Sequence, residues 1–304
     1  MPVEPLAERV DSALSVPVRS EIAAFAARLA KEANARAVLF YGSNLRSGSL
    51  EGVLDFYVLT WGPRERGLWP RVGYHEMETE GGETLRAKVA EMRLTTFAHA
   101  ASGQHLDTTI WARFVQPATI AWAADDAARD AVASAIRAAA VTAGRFAAAL
   151  GPERGAERDY WQALFRATYR AELRVEKPGR EQQILNFGAE HFEGLIPAAW
   201  QAGGVAFARD GETLQPDLSE PERKRILTRW HRRRRAGKPL NVVRLLRAAT
   251  TFEGGARYLA WKVERHTGVA VPLTPFQERH PLVSAPVLIT NYLRARRRAA
   301  KGGR

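Results

Sequence analysis

The chain has 304 residues, 46% of them hydrophobic, which is enough for two modest domains with cores of their own. It contains no cysteine; this excludes disulfides, thiolate zinc sites and cysteine nucleophiles, and agrees with a reducing cytoplasm. A net charge of +12 favours polyanionic partners (nucleic acid, anionic lipid or nucleotides), although arginine is also a good helix former with a solvated head. The first residues lack a basic region followed by an apolar core, so no secretory signal is expected. No run of about 18 apolar residues is present to span a bilayer, and the expectation is a soluble protein or one lying on a membrane surface.

Ile22, Phe25, Ala26 and Leu29 recur at helical spacing and predict an amphipathic helix over 19–34 that leads into a strand at 38–41. The stretch Ala37-Val-Leu-Phe-Tyr-Gly-Ser43, a polar glycine-containing run, and Val53-Leu-Asp55-Phe-Tyr-Val-Leu-Thr60 follow. They read as strand, Gly-Ser turn, short helix and second strand, the last with a lone acid among apolar residues. An aspartate in that setting is costly to desolvate unless it is paired, hydrogen-bonded or placed on a metal. Gly42 lets backbone N–H groups approach a phosphate, and Ser43 adds a hydroxyl. Together these parts suggest nucleotidyl transfer, while an ordinary hairpin with one acid at its exposed edge fits the residue types as well.

Strands are predicted at 74–78 and 85–92 around the Gly81-Gly82 turn, and the segment 110–117 closes on Pro117. The Ala-rich run 123–150 reads as one helix, stopped by Gly151-Pro152, which supply a domain boundary. Beyond it the pattern is mainly helical, over 160–173, 182–195 and 220–235. A pair of basic helices follows at 241–252 and 256–266, split by Gly254-Gly255, then a helix at 287–298 and a tail whose last four residues are expected to be disordered. The division is therefore 1–150, 151–240 and 241–304. In the basic pair, Val242, Leu245, Leu246 and Ala249 share one face, and Leu259 and Val263 another, with Tyr258, Trp261, Arg257, Lys262 and Arg265 around them. Such helices suit a lipid headgroup layer, or simple packing on the second domain. The arginine clusters at 232–235 and 294–298 would also track a phosphate backbone, but aromatic residues beside them are sparse for single-strand binding.

The order Phe-Tyr-Gly-Ser, then Leu-Asp-Phe, resembles the mitochondrial-type phosphatidate cytidylyltransferases, the CDP-diacylglycerol synthases on a polymerase-β-like nucleotidyltransferase fold. These also carry one aspartate followed by phenylalanine where many nucleotidyltransferases have Asp-x-Asp. Arg86-Ala-Lys88 sits where the family has a lysine-bearing strand, and 110–117 resembles its Gly-Arg-x-x-Lys-Pro segment. Arg170-Ala-Glu172-Leu-Arg174, with Glu176 and Ile184-Leu-Asn186, resembles its Gly-Asp-x-Arg…Glu-Asn…Asn-Ile block. Gln116 stands in place of the family's lysine, Ala112 of its glycine and Glu172 of its aspartate. The resemblance covers residues 20–200.

It implies an α+β protein: a nucleotidyltransferase domain with a mixed sheet flanked by helices, a mainly helical second domain, and basic amphipathic C-terminal helices. It also implies transfer from CTP to a lipid phosphate at a membrane surface, with pyrophosphate released and Mg²⁺ required. Tyr41, Gly42, Ser43, Arg113 and Arg174 would hold the nucleotide; Asp55 and Glu172 would bind the metal; Lys88 would neutralise triphosphate charge. Tyr57 is a poor second carboxylate because a phenol stays protonated to pKa ~10, so Glu172, or else Glu91 or Glu76, is needed to complete the metal shell. From residue type alone Glu172 could instead be a helix-surface acid, Lys88 a solvent-face lysine, and Arg113 and Arg174 ion-pair arginines. The seven histidines have no zinc-site spacing. Two alternatives remain open: a nucleotidyltransferase acting on a small molecule, protein or RNA, and a non-catalytic nucleic-acid- or membrane-binding module on a decayed transferase fold.

Overall fold

The computed structural model describes residues 3–172 and 180–251, together with Arg257, Ala260, Trp261 and Thr274. Helices α1 (Leu6–Leu14) and α2 (Ser20–Ala33) precede strand β1 (Ala35–Tyr41), the one-turn α3 (Ser43–Ser47), and strands β2 (Leu54–Thr60), β3 (Arg71–Glu78) and β4 (Thr84–Arg93). Helices α4 (Leu94–Ala101) and α5 (Thr109–Phe114), strand β5 (Ala118–Ala123) and the long α6 (Asp126–Leu150) follow. The second half holds β6 (Gly155–Ala156), α7 (Glu157–Ala171), α8 (Arg180–Phe187), α9 (Ala189–Phe192), α10 (Leu195–Gly203), β7 (Ala206–Asp210), β8 (Thr213–Asp217) and α11 (Glu220–Thr251).

The architecture is α+β, with a mixed five-stranded sheet of order β3-β4-β2-β1-β5 flanked by helices. β2 and β4 run parallel; the other neighbours are antiparallel. Period-2 alternation sends each strand's side chains to two faces. Val38, Phe40, Leu54, Phe56, Val58 and Val89 pack with Ile22, Phe25 and Leu29 of α2. Leu39, Tyr57, Leu59, Ala90 and Met92 face the larger core, built with α4, α5 and α6 and continuing through Trp161, Trp200 and Trp230.

The predicted strands at 38–41, 74–78 and 85–92 and the helix at 19–34 are present. The helix expected from 123 begins later. Asp125 caps it by accepting from the Ala128 N–H at 2.6 Å, and Ala118–Ala123 instead form an edge strand paired with β1. The helix expected over 182–195 is broken at Gly188 and Gly194, the latter at φ +73, into α8, α9 and the start of α10. The second half also contains a small β6-β8-β7 sheet that the sequence reading missed. Tyr160 of α7 donates its hydroxyl to Leu214 O at 2.7 Å and ties that sheet to the helices.

The helices expected separately over 220–235 and 241–252 are one continuous helix, with Pro239 inside it. Buried Trp230, Arg233 and Gly237, with partly buried Ile226, hold it down before the proline is reached. A Cβ at 237 would lie 2.3 Å from Ala171 O, so only glycine lets the helix approach so closely. Arg233 departs from the polyanion-tracking role of its cluster: it is 4% exposed, with Nη2 donating to the carbonyls of Gly103 and His105. Its neighbours Arg232, Arg234 and Arg235 are exposed. The helix at 287–298 and most of that at 256–266 lie outside the described residues.

Candidate nucleotide-binding cleft

At the end of β1 the chain leaves Tyr41 through Gly42, at φ +92 and ψ −160, and enters α3. L-residues rarely adopt that backbone conformation. A Cβ at this position would also stand 2.8 Å from Asp55 Oδ2, so the carboxylate packs directly on the glycine. The return loop is clipped by buried Asn44, whose Nδ2 donates to Ser49 O at 2.9 Å and Glu51 O at 2.8 Å. This clip delivers the chain into β2 with Asp55 opposite Tyr41, and Asp55 is in turn in register with Lys88 of β4. Tyr41, Asp55 and Lys88 thus form one row across three strands, at the end of the face that elsewhere carries the larger core.

Arg113 of α5 reaches over this row. Its Nη1 donates to Tyr41 Oη at 3.2 Å, and its guanidinium lies 5.4 Å from the Tyr41 ring centroid and 6.0 Å from that of Tyr57. With Ser43 and Arg46 of α3 these residues line a cavity of ≈ 210 Å³, to which Gln116, Pro117, Tyr169 and Ile184 also contribute. Burial raises the Asp55 carboxyl above its ordinary value, and Lys88, Arg113 and Arg46 pull it back only in part. Lys88 keeps contact with solvent, yet the packing around it and the Arg113 charge lower its ammonium, against the pull of Asp55. Burial works against the Arg113 charge as well, but Tyr41, Tyr57, Glu172 and Asp55 outweigh it and hold the guanidinium above its usual range. Three cations around one carboxylate give the cleft a net positive charge that suits an anion.

Of the residues expected at the site, Tyr41, Gly42, Ser43, Asp55, Lys88 and Arg113 come together here. Glu172 does not line the cavity; it caps α7, is 6% exposed, and accepts from Thr108 Oγ1 at 2.5 Å. Of its substitutes, Glu76 accepts from the Tyr74 hydroxyl at 2.8 Å and faces Arg86 at 3.5 Å. Glu91 has the strand parity of Val89, on the sheet face opposite Asp55. Arg174 lies outside the described residues. The sequence reading missed Asn44, Arg46 and Tyr169; the Ser-Asn pair straight after Gly42 was the available signal for the loop clip.

Among the described residues no three His, Asp or Glu side chains group to hold a metal. Asp55 is the carboxylate among the described residues that lines the cleft. This donor set fits a hard cation that arrives on substrate phosphates and takes one protein carboxylate, the mode typical of Mg²⁺, rather than a metal caged by protein alone. No family model matches the chain, and no curated protein matches it either.

Proposed function

We propose that this protein is a nucleotidyltransferase with a polymerase-β-like catalytic domain that transfers the cytidylyl group of CTP to a lipid phosphate. Phosphatidate plus CTP would give CDP-diacylglycerol plus pyrophosphate. The observation that carries this reading is the Asp55 carboxylate packed on Gly42 inside a cleft lined by Arg46, Lys88 and Arg113. Charge on the phosphoryl oxygens dominates such a transfer, so positioned cations supply most of the catalysis. Lys88 and Arg46 would neutralise the triphosphate, and Arg113, oriented by Tyr41, would clamp a phosphate through two N–H groups. Mg²⁺, carried on the triphosphate and held by Asp55, would add Lewis-acid neutralisation. An oxygen of the acceptor phosphate attacks the α-phosphorus as the bond to the β-phosphate oxygen breaks. That oxygen is already ionised, so no side chain need remove a proton, in keeping with a cleft in which three cations surround Asp55.

A membrane-surface location is part of the proposal. Lys224, Arg225, Arg229, Arg232 and Arg235 are exposed on α11, and Val242 and Val243 are 42% and 46% exposed further along it. Among the described residues no helix is long and apolar enough to cross a membrane. Cations near an anionic surface contribute roughly 1 kcal/mol each. One observation favours the non-catalytic alternative: Tyr57, two residues after Asp55, is a core residue packed edge-on to Phe114 at 5.0 Å, so no second carboxylate stands at that position.

The test is pyrophosphate release from each nucleoside triphosphate with Mg²⁺, with and without phosphatidate vesicles. Release specific to CTP and dependent on lipid supports the proposal, and lipid-independent turnover selects a different acceptor. No release under any condition favours the binding module. Flotation with anionic against neutral vesicles tests the location, and equal recovery from both would remove the membrane from the scheme.

A further inference from the structure

Arg113 reaches over Asp55 from a helix too short to hold itself in place. α5 has six residues, and a helix of that length needs contacts from elsewhere in the chain to persist. Trp111, stacked on Phe146 at 5.3 Å, and Phe114, edge-on to Tyr57 at 5.0 Å, bury its apolar side. Such contacts are non-directional. Directional bonds stand at the two ends. After α5, Val115 O accepts from His191 Nε2 at 2.9 Å. Before it, Thr108 occupies the N-cap position, yet its hydroxyl makes no cap; it donates to Glu172 Oε1 at 2.5 Å instead. Thr108 and Glu172 are both buried. Glu172 closes α7, the helix whose Tyr169 lines the cleft, and its charge is among those that support the Arg113 guanidinium.

We propose that Glu172 is a positioning residue for Arg113: by holding Thr108 it fixes α5 against the end of α7 and so sets the guanidinium over Asp55. The inference rests on the nucleotidyltransferase reading of the cleft and deepens it. Glu172 does not line the cavity, so it acts there without touching substrate or metal. A shift of α5 by about an ångström would carry Arg113 out of line with a phosphate held by Lys88 and Arg46, and misplacement on that scale costs a reaction up to about 100-fold.

Calorimetric binding of inorganic tripolyphosphate, with and without Mg²⁺, tests the proposal. Glu172→Gln and Glu172→Ala both remove the charge, and only glutamine keeps an acceptor for Thr108. The alanine variant is expected to bind about 10-fold more weakly than the glutamine variant, the scale of one lost hydrogen bond. Thr108→Val, which keeps the Glu172 charge, should fall below wild type by a similar factor, and Thr108→Ser, which keeps the hydroxyl, should restore the affinity. Combined with Arg113→Met, which leaves Lys88 and Arg46 to bind the anion, the difference between alanine and glutamine at 172 should vanish. A difference of the same size in that background, or alanine and glutamine variants that bind alike, would overturn the positioning role and leave the anion cleft standing. Glu172→Gln weakened only when Mg²⁺ is present would return the acid to the metal and overturn it as well. If the wild-type protein binds no tripolyphosphate, the transferase reading falls, and this inference with it.

Discussion

On one face of the five-stranded sheet, Phe40, Phe56 and Val58 are sealed beneath α2, with the Phe56 ring 5.2 Å from Phe40 and 5.7 Å from Phe25. On the other, Leu39, Tyr57 and Leu59 enter a core of the same character, until the row Tyr41, Asp55 and Lys88 opens into the cleft. The same three strands supply both faces, and neighbouring residues of β2 have opposite tasks. Phe56 gains stability from burial, whereas Asp55 loses stability through it. Asp55 is therefore held in its row at a cost to folding stability. A group of that kind is a sound candidate for function.

Phe56→Ala has the largest expected effect. Removing a fully buried ring between two others is expected to cost about 3–5 kcal/mol, read as a lower midpoint in denaturant with an unchanged m-value. Asp55→Asn comes next and acts in the opposite sense. The proposed transfer should fall by about 10² to 10³, the usual cost of removing one electrostatic stabiliser, while the apo protein is no less stable at pH 7. The sign follows from linkage. A carboxyl raised in the folded state contributes stability at low pH, and that contribution is lost as pH rises through its folded value; the ionised group is then a burden that asparagine removes. A wild-type protein clearly more stable than Asp55→Asn at pH 7 would show the acid to be structural.

Gly42→Ala follows. The backbone at φ +92 carries a strain of about 1–3 kcal/mol for any L-residue, and the new methyl group must displace the Asp55 carboxylate. Both thermal stability and nucleotide binding should fall, and binding retained at the wild-type level would separate the turn from the site. The smallest effect is on pH dependence. With Asp55 raised and Lys88 lowered, affinity for the Mg²⁺-loaded nucleotide should decline on the acid side above the usual carboxylate range and on the alkaline side below the usual lysine range. Calorimetric affinities across pH would show it; Asp55→Asn should remove the acid limb alone.

Much of the candidate site could be read from local patterns, because its parts lie in short consecutive segments. Gly-Ser after an apolar run and a lone acid in the next strand pointed to Gly42, Ser43 and Asp55, with an ordinary hairpin as the alternative; Lys88 was singled out by the family resemblance, since its alternating run 85–90 also suited a solvent-face lysine. The partners that close the cleft were less legible. Tyr169 and Ile184 come from helices more than a hundred residues along, where each looks like an ordinary core residue. Glu172 was assigned to the metal by its place in the order of motifs, yet its carboxylate is held by Thr108, a contact across 64 residues that no pattern announces. The β7–β8 hairpin was a different kind of miss. Asp210-Gly211, with Gly211 at φ +61, is a strong short-range turn signal and was present in the sequence.

Sequence periodicity by itself determined which residues of β1, β2 and β4 point to which side, since alternation along a strand is local geometry. It also determined that one acid would stand among apolar neighbours and that the turn before it required glycine. Packing between segments distant in the chain brought α5 and its Arg113 over that acid and carried α11 unbroken past Pro239. Local propensity carries no information about either outcome.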